Sequence, residues 1–204
     1  MRAYLRTRRS ARLRGLARAS MTVVVALALG ALTDLGQRWL PHAIGSLANS
    51  TGSWVVVVML LSLLCPSRAA AALRGGTTLL ALVLGYYLAA AVRNVPLSPT
   101  SVMFWALAAA VVGPVVGMAA VAMRYDRPWS AGAATGVVSG LLAGEGLYGL
   151  RDLASSTTGG YWIGQIAVAA LLVVLVGWRR GWLVVPAVAA VIGCLVAIAT
   201  ASIL

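Results

Sequence analysis

The chain has 204 residues, of which 61% are hydrophobic and 10% are charged, and its formal net charge is +12. Soluble domains carry about 25% charged residues, so the composition excludes an ordinary soluble domain and indicates a protein whose solvent is lipid. Because one helical crossing needs about 20 apolar residues, the length allows about seven crossings behind a basic tail. The predicted fold is therefore an all-α polytopic transmembrane bundle.

Residues 1–19 are predicted to be a basic cytoplasmic tail, and residues 20–204 a single transmembrane helical domain. The seven arginines of the tail stand directly before the first apolar stretch. Such a cluster indicates the cytoplasmic side of the membrane and attracts anionic lipid headgroups by about 1 kcal/mol per residue near the surface. We therefore expect the lipid bilayer and its anionic headgroups as partners, and no nucleic acid.

The apolar stretches predict seven membrane spans. In chain order they cover residues 20–40, 48–66, 70–92, 101–123, 130–150, 161–178 and 182–204. The second span is supported least by composition, because its strictly apolar part, Trp54 to Cys65, is short and follows a polar run.

The distribution of arginine sets the predicted orientation. With seven spans and a cytoplasmic N-terminus, the seven tail arginines and six loop arginines lie inside, and only Arg38, Arg93 and Arg151 lie outside. Omitting the second span would invert every later loop and place most of the loop arginines outside, against the positive-inside rule. All sixteen basic residues are arginine, a bias typical of GC-rich bacterial genomes. We therefore expect a bacterial plasma membrane protein with its C-terminus outside.

Two of the four acidic residues, Asp34 and Glu145, lie within predicted spans. Each stands six residues before the outer end of an outward-running helix, or about 9 Å below that end at 1.5 Å per residue. A charged residue inside a span costs on the order of 2.5–3.5 kcal/mol on insertion scales, so it is expected to face the bundle interior and to have a partner. The two carboxylates are thus predicted to lie at matching depth.

Other polar side chains fall in the same outer layer and complete a predicted ligand-binding site. Its members are Glu145, Tyr148, Asn49, Asp34, Tyr86 and Gln165. Two interpretations stay open. In one, the aromatic residues form an interfacial belt, while the two acids pair with Arg38 and Arg151 as charges at helix ends. In the other, the layer is a polar cavity that opens to the outside and receives a small ligand, an ion or a proton.

The fifth span carries a glycine ridge, Gly132, Gly136, Gly140 and Gly144, at uninterrupted four-residue spacing. Small residues at this spacing allow two membrane helices to approach closely. The ridge predicts a helix in the centre of the bundle, where Glu145 is held away from lipid.

The sequence gives no support for an enzyme, and we expect no metal and no other cofactor. His42 is the only histidine, which excludes histidine-rich metal and haem sites. The chain also contains no phosphate loop, HExxH or dinucleotide-binding glycine motif.

The string GALTDLGQRWLPHAIGSLANSTGSW at residues 30–54, with FW at 104–105, GPVVG at 113–117 and GEGLYG at 144–149, resembles a bacterial integral-membrane family, the domain of unknown function 6518. The resemblance covers about residues 22 to 178, and its most specific part is the LP…LANS.G.W segment. It implies a polytopic membrane protein and supplies no activity. It also implies an uncharged residue where this chain has Asp34, which favours Glu145 as the functional carboxylate.

Two functional hypotheses follow. The first is binding or transport of a small solute in an outward-facing polar pocket, with Glu145 as the charged ligand or proton site. The second is a scaffold or assembly protein, in which the polar layer only fixes helix packing and the glycine ridge binds a partner membrane protein.

Overall fold

The computed structural model describes residues 2–48, 50–153, 157–180 and 190, and every regular element in these ranges is helical. The elements are α1 (Arg2–Trp39), a 3-10 helix (His42–Ala48), α2 (Thr51–Ser62), α3 (Arg68–Val92), α4 (Pro99–Tyr125), α5 (Pro128–Asp152) and α6 (Gly159–Arg180). The all-helical prediction is confirmed for this part of the chain. The seventh predicted span, 182–204, lies outside the described residues except for residue 190.

Four of the described helices are long and apolar enough to cross a membrane, namely Ala19–Trp39 within α1, and α3, α4 and α6. The 3-10 helix and α2 would add a fifth span if they are taken together as one bent unit. Helix α5 is as long as α3, but its apolar character is lowered by glycine residues and by residues with hydroxyl groups, most of which are buried. These helices suggest a membrane protein.

Helices α3 to α6 begin and end within two residues of the predicted spans, because local signals set their ends. The side chain of Ser67 accepts a hydrogen bond from the backbone of Ala70 at the start of α3, and Ser98 does the same at the start of α4. Pro99 and Pro128 occupy the first turns of α4 and α5. At these positions the backbone N–H that proline lacks would have no partner within the helix. Helix α1 begins at Arg2, so the predicted basic tail is helical and continuous with the first predicted span.

The second predicted span, 48–66, is corrected by the structure. Its helix, α2, has 12 residues, which rise about 18 Å against a hydrocarbon core of about 30 Å. The 3-10 helix His42–Ala48 precedes it and meets α2 at 56°. Ser50 caps α2 in an extended conformation, and Pro66 follows its end. The segment predicted as the second span is therefore a bent pair of short helices instead of one straight helix.

Arginine side chains from two neighbouring helices meet the C-terminal end of α2. Arg74 of α3 donates to the carbonyl of Leu61 at 3.3 Å, and Arg124 of α4 donates to that of Leu63 at 3.5 Å. The last carbonyls of a helix carry a partial negative charge that cations complement. Two positive charges therefore stabilise this end of a short helix.

Helices α3 and α4 are antiparallel neighbours that touch backbone to backbone at glycines. Gly75 faces the backbone of Gly113, while Gly117, one turn further along α4, faces the backbone of Ala71, one turn earlier on α3. A side chain at any of these glycines would overlap the facing main chain. Small residues thus set the distance between the two helices.

Helices α1 and α3 also pack through a pair of glycines. Gly30 faces the carbonyl of Leu82, and Gly85 faces the carbonyl of Leu27. The two helices run in the same direction, and their C-terminal ends lie together at one end of the bundle. This arrangement brings the last turns of α1 and α3 within side-chain reach of each other.

The glycine ridge of α5 is buried, as the sequence predicts, with all four of its members inside the bundle. Two further glycines of α5, Gly146 and Gly149, pack against Ile166 and Trp162 of α6. Because α5 is a central helix, Glu145 lies among protein neighbours.

Substituting Gly117 by alanine is expected to lower the free energy of unfolding by about 1–3 kcal/mol, because the new methyl group meets rigid backbone on α3. Gly164 of α6 is the matched control, since no atom lies within 4 Å of a Cβ added there. Gly164→Ala should leave stability unchanged or raise it by up to about 1 kcal/mol through helix propensity. Thermal unfolding of both variants in detergent measures the difference; equal midpoints would contradict the proposed backbone contact.

Candidate functional site

Two polar clusters meet at the N-terminus of α2, at the end of the bundle where α1 and α3 terminate. The first surrounds Glu145 of α5. Its carboxylate accepts hydrogen bonds from the backbone of Thr51 at 2.7 Å and of Gly52 at 2.6 Å, from the hydroxyl of Ser50 at 2.9 Å, and from the amide of Gln165 at 2.8 Å. Four donors from two other segments therefore converge on one carboxylate.

The unpaired N–H groups in the first turn of α2 explain the position of this carboxylate. The first N–H groups of a helix have no partner within the helix, and a negative charge is favourable beside them. Gly52 allows the close approach, because a Cβ at this position would lie 2.7 Å from Nε2 of Gln165 and 2.8 Å from Oε2 of Glu145. Glu145 therefore caps α2 and ties it to α5, and Gln165 extends the connection to α6.

The second cluster is an ion pair between α1 and α3. A guanidinium nitrogen of Arg93, the residue that ends α3, lies 2.6 Å from Oδ1 of Asp34. The side chain of Asp34 is 2% exposed and that of Arg93 is 21% exposed. Beside them, the amide of Gln37 donates to the hydroxyl of Tyr86 at 3.3 Å. The parallel packing of α1 and α3 places these four side chains together.

The ion pair borders a cavity of about 400 Å³. Its wall also includes the aromatic side chains of Trp54, Tyr86 and Trp105, and residues from the start of α2 and from the α3–α4 connection. Trp54 and Tyr86 meet edge to face, with 6.1 Å between their ring centroids. Charged, aromatic and apolar groups thus share one concave surface, as in many small-molecule sites.

Four polar atoms on residues that line the cavity are buried from solvent and have no hydrogen-bond partner among the described residues. They are Oδ2 of Asp34, Nε and Nη1 of Arg93, and Nε1 of Trp54. A buried polar atom without a partner costs about 1–3 kcal/mol, so native proteins rarely leave several together. The residues around the ion pair thus keep hydrogen-bonding capacity that no described residue satisfies.

The structure brings together some of the predicted site residues and separates others. Asp34 and Tyr86 line the cavity, whereas Glu145 and Gln165 belong to the cap of α2. Tyr148 is half-buried one turn after Glu145 and is not part of the cavity wall. Asn49 lies outside the described residues. The role of Glu145 as a ligand stays a prediction, and its observed contacts are those of a helix cap.

The alternative pairing of the two acids with neighbouring arginines is wrong. Asp34 pairs with Arg93 of another helix instead of Arg38, and Arg151 lies 3.6 Å from Asp152. Sequence reasoning missed Arg93 because an arginine at a helix end is normally solvated. The available signal was a charge of opposite sign at the same predicted outer level as Asp34.

Comparison with known proteins gives one match. No curated protein and no solved structure shows significant similarity to the chain. Residues 9–204 match a family model described as a family of unknown function, which confirms the resemblance seen in the LP…LANS.G.W segment. Since the match covers nearly the whole chain, the protein belongs to this family of unknown function, DUF6518.

Proposed function

We propose that the protein is a multi-pass protein of a bacterial plasma membrane that binds or transports a small polar solute in the cavity beside Asp34 and Arg93. In this proposal the chain has seven spans, a cytoplasmic N-terminus and an external C-terminus. The cavity then faces outward, because the loops that carry Arg38, Arg93 and Arg151 are external.

The observation that carries the proposal is a cavity of about 400 Å³ that is lined by the ion pair and by aromatic side chains, on residues that also hold four buried polar atoms without a partner among the described residues. A purely structural ion pair gains most when its remaining donors and acceptors are also satisfied by the protein. The carboxylate of Glu145 is satisfied by the protein in this way, because it accepts hydrogen bonds from four donors. The pair of Asp34 and Arg93 keeps hydrogen-bonding capacity beside a cavity, which supports a binding role for it.

A scaffold is the second candidate, because the Glu145 cluster makes its contacts within the chain and locks α2 to α5 and α6. In that case a partner membrane protein would dock on an outer face, since the glycine ridge of α5 is already buried. The two candidates differ in whether the cavity binds a solute.

The experiment blocks the cavity with a bulky side chain introduced at its exposed edge. Ser101 is an exposed residue of the cavity wall, and its neighbour Thr100 is exposed but does not line the cavity. Wild type, Ser101→Trp and Thr100→Trp would be placed in lipid nanodiscs and screened by thermal shift against amino acids, sugars and organic ions.

We expect at least one solute to raise the unfolding midpoint of wild type and of Thr100→Trp, and the indole at position 101 to abolish that shift. Absence of any response in wild type, or an equal response in both tryptophan variants, would contradict solute binding in this cavity and favour the scaffold.

A further inference from the structure

We propose that the C-terminal segment 182–204 packs in an apolar groove between α1 and α6 and closes the bundle on that side. Apart from residue 190, this segment lies outside the described residues. The placement rests on the seven-span topology of the proposed function and does not depend on which solute the cavity binds.

The groove lies between α1 and α6, with the first half of α2 as its floor. Its volume is about 770 Å³, its wall is mostly aliphatic, and no charged side chain occurs among the described residues that line it. On α1 it extends from Leu29 to Leu40. This distance is about 16 Å at 1.5 Å per residue, or roughly half of a hydrocarbon core.

Helices α1 and α6 are the least covered of the four candidate spans. In the most apolar stretch of each helix, 22% of α1 and 11% of α6 is buried, against 50% of α3 and 44% of α4. Leu32 of α1 and Val168 of α6, which both line the groove, are 59% and 46% exposed. Helices α1, α3, α4, α5 and α6 pack in this order, each against the next. One more helix between α6 and α1 would close this series into a ring.

The segment 182–204 follows α6 closely enough to be that helix. Helix α6 ends at Arg180, and the 23 residues from 182 to 204 contain no charged side chain. As a helix they would rise about 34 Å, which is enough to cross a hydrocarbon core of about 30 Å. Helices joined by a short turn are normally antiparallel neighbours, so the segment is expected beside α6.

The segment and the groove both carry small residues at four-residue spacing. Gly160 and Gly164 of α6 line the groove. The segment has a longer series of the same kind, made up of Ala189, Gly193, Ala197 and Ala201. Such series allow two membrane helices to approach closely.

The two series also match in depth. In an antiparallel hairpin that turns at Gly181, Gly164 and Ala197 are 17 and 16 residues from the turn, and Gly160 and Ala201 are 21 and 20 residues from it. The small residues of the segment therefore reach the level of the groove.

The cap of α2 favours a helix over lipid as the occupant of the groove. Gly52 and Gln165, which both donate to the Glu145 carboxylate, line the groove, and Glu145 is only half-buried. An ionised side chain next to hydrocarbon is unfavourable. A helix in the groove would separate this carboxylate from the acyl chains, whereas a lipid in the groove would bring them close to it.

Cysteine cross-linking of the full-length protein in native membranes tests this placement. In a background with Cys65 and Cys194 replaced by alanine, one cysteine replaces Leu32 or Leu35 of α1. These leucines are 59% and 41% exposed and less than one turn apart, but only Leu32 lines the groove. The second cysteine is placed in turn at positions 196 to 199, one full helical turn in the outer half of the segment.

Disulfide formation with copper phenanthroline is followed as the loss of labelling by a maleimide polymer, and non-reducing gels detect covalent dimers. We expect at least one of the four positions to react within monomers at least tenfold faster with Leu32→Cys than with Leu35→Cys. Equal rates for the two α1 positions, or no disulfide from either, would overturn the placement. Disulfides that join two chains would assign the groove to a second copy of the protein.

A bulky side chain in the groove gives a second measurement. Gly164→Leu should slow the reaction of Leu32→Cys at least tenfold, because the new side chain occupies the space of the segment. Gly164→Ala is the control and should stay within twofold of the parent, since contacts between small residues tolerate alanine. If leucine and alanine at position 164 have the same effect, the segment does not pack at this glycine and the placement is wrong.

The side of the membrane reached by the segment is measured separately. A cysteine added after residue 204 is labelled in intact cells with a membrane-impermeant maleimide. An internal position would refute the seven spans together with this placement. An external position without the expected disulfide would refute the placement alone, and the thermal-shift screen still decides whether the cavity beside Asp34 and Arg93 binds a solute.

Discussion

Replacing Glu145 by glutamine is expected to lower the thermal midpoint of the protein in detergent, with a loss of about 3 kcal/mol in the free energy of unfolding. The carboxylate accepts four hydrogen bonds, two of them from the first backbone N–H groups of α2. A glutamine has one acceptor oxygen, and its NH2 group would face donors. It also lacks the negative charge that complements the helix N-terminus.

Tyr148→Phe is the control for this substitution, because Tyr148 is half-buried one turn later on the same helix and takes no part in capping α2. Its midpoint should stay close to that of wild type. If Glu145→Gln instead unfolds like wild type but no longer binds the solute, then Glu145 is a ligand residue, as the sequence analysis predicted, and its role as a structural cap is wrong.

The helices were predictable from the sequence because bilayer thickness and local end signals act on short stretches of chain. Serine caps and first-turn prolines define α3, α4 and α5 at the residue level. The bend in the second predicted span was harder to predict. The hydroxyl of Ser50 and the first N–H groups of α2 find their acceptor on Glu145, about 95 residues later in the chain.

The candidate site was predictable in composition but not in pairing. Depth along a helix follows from residue counting, so Asp34, Tyr86, Glu145 and Gln165 could be assigned to one layer. Which helices are neighbours is decided by contacts such as Gly30 with Leu82, and a single sequence does not reveal them. The layer therefore divides into a cap around Glu145 and a cavity beside Asp34, a distinction that depth alone does not make.

This division between cap and cavity makes Asp34 a stronger functional candidate than Glu145. The family resemblance favoured Glu145, since it implied an uncharged residue at position 34. In the structure Glu145 is engaged by four donors of its own chain, whereas Asp34 belongs to the residues that line a cavity and has one carboxylate oxygen without a partner among the described residues.

The ion pair itself gives the second large expected effect. Arg93→Met should lower the free energy of unfolding by about 3–5 kcal/mol, because it leaves the buried carboxylate of Asp34 without its partner. The double variant Asp34→Leu with Arg93→Met removes both charges and keeps apolar volume. Such replacements are often neutral or stabilising, so the double variant should recover most of the loss.

A double-mutant cycle on wild type, the two single variants and the double variant measures this coupling by chemical unfolding in mixed micelles. If the double variant is as unstable as the sum of the single ones, the pair contributes no direct interaction. The recovered double variant then separates stability from function. Since it folds but lacks both charged side chains that line the cavity, it should no longer bind the solute; wild-type binding by this variant would contradict the placement of the site.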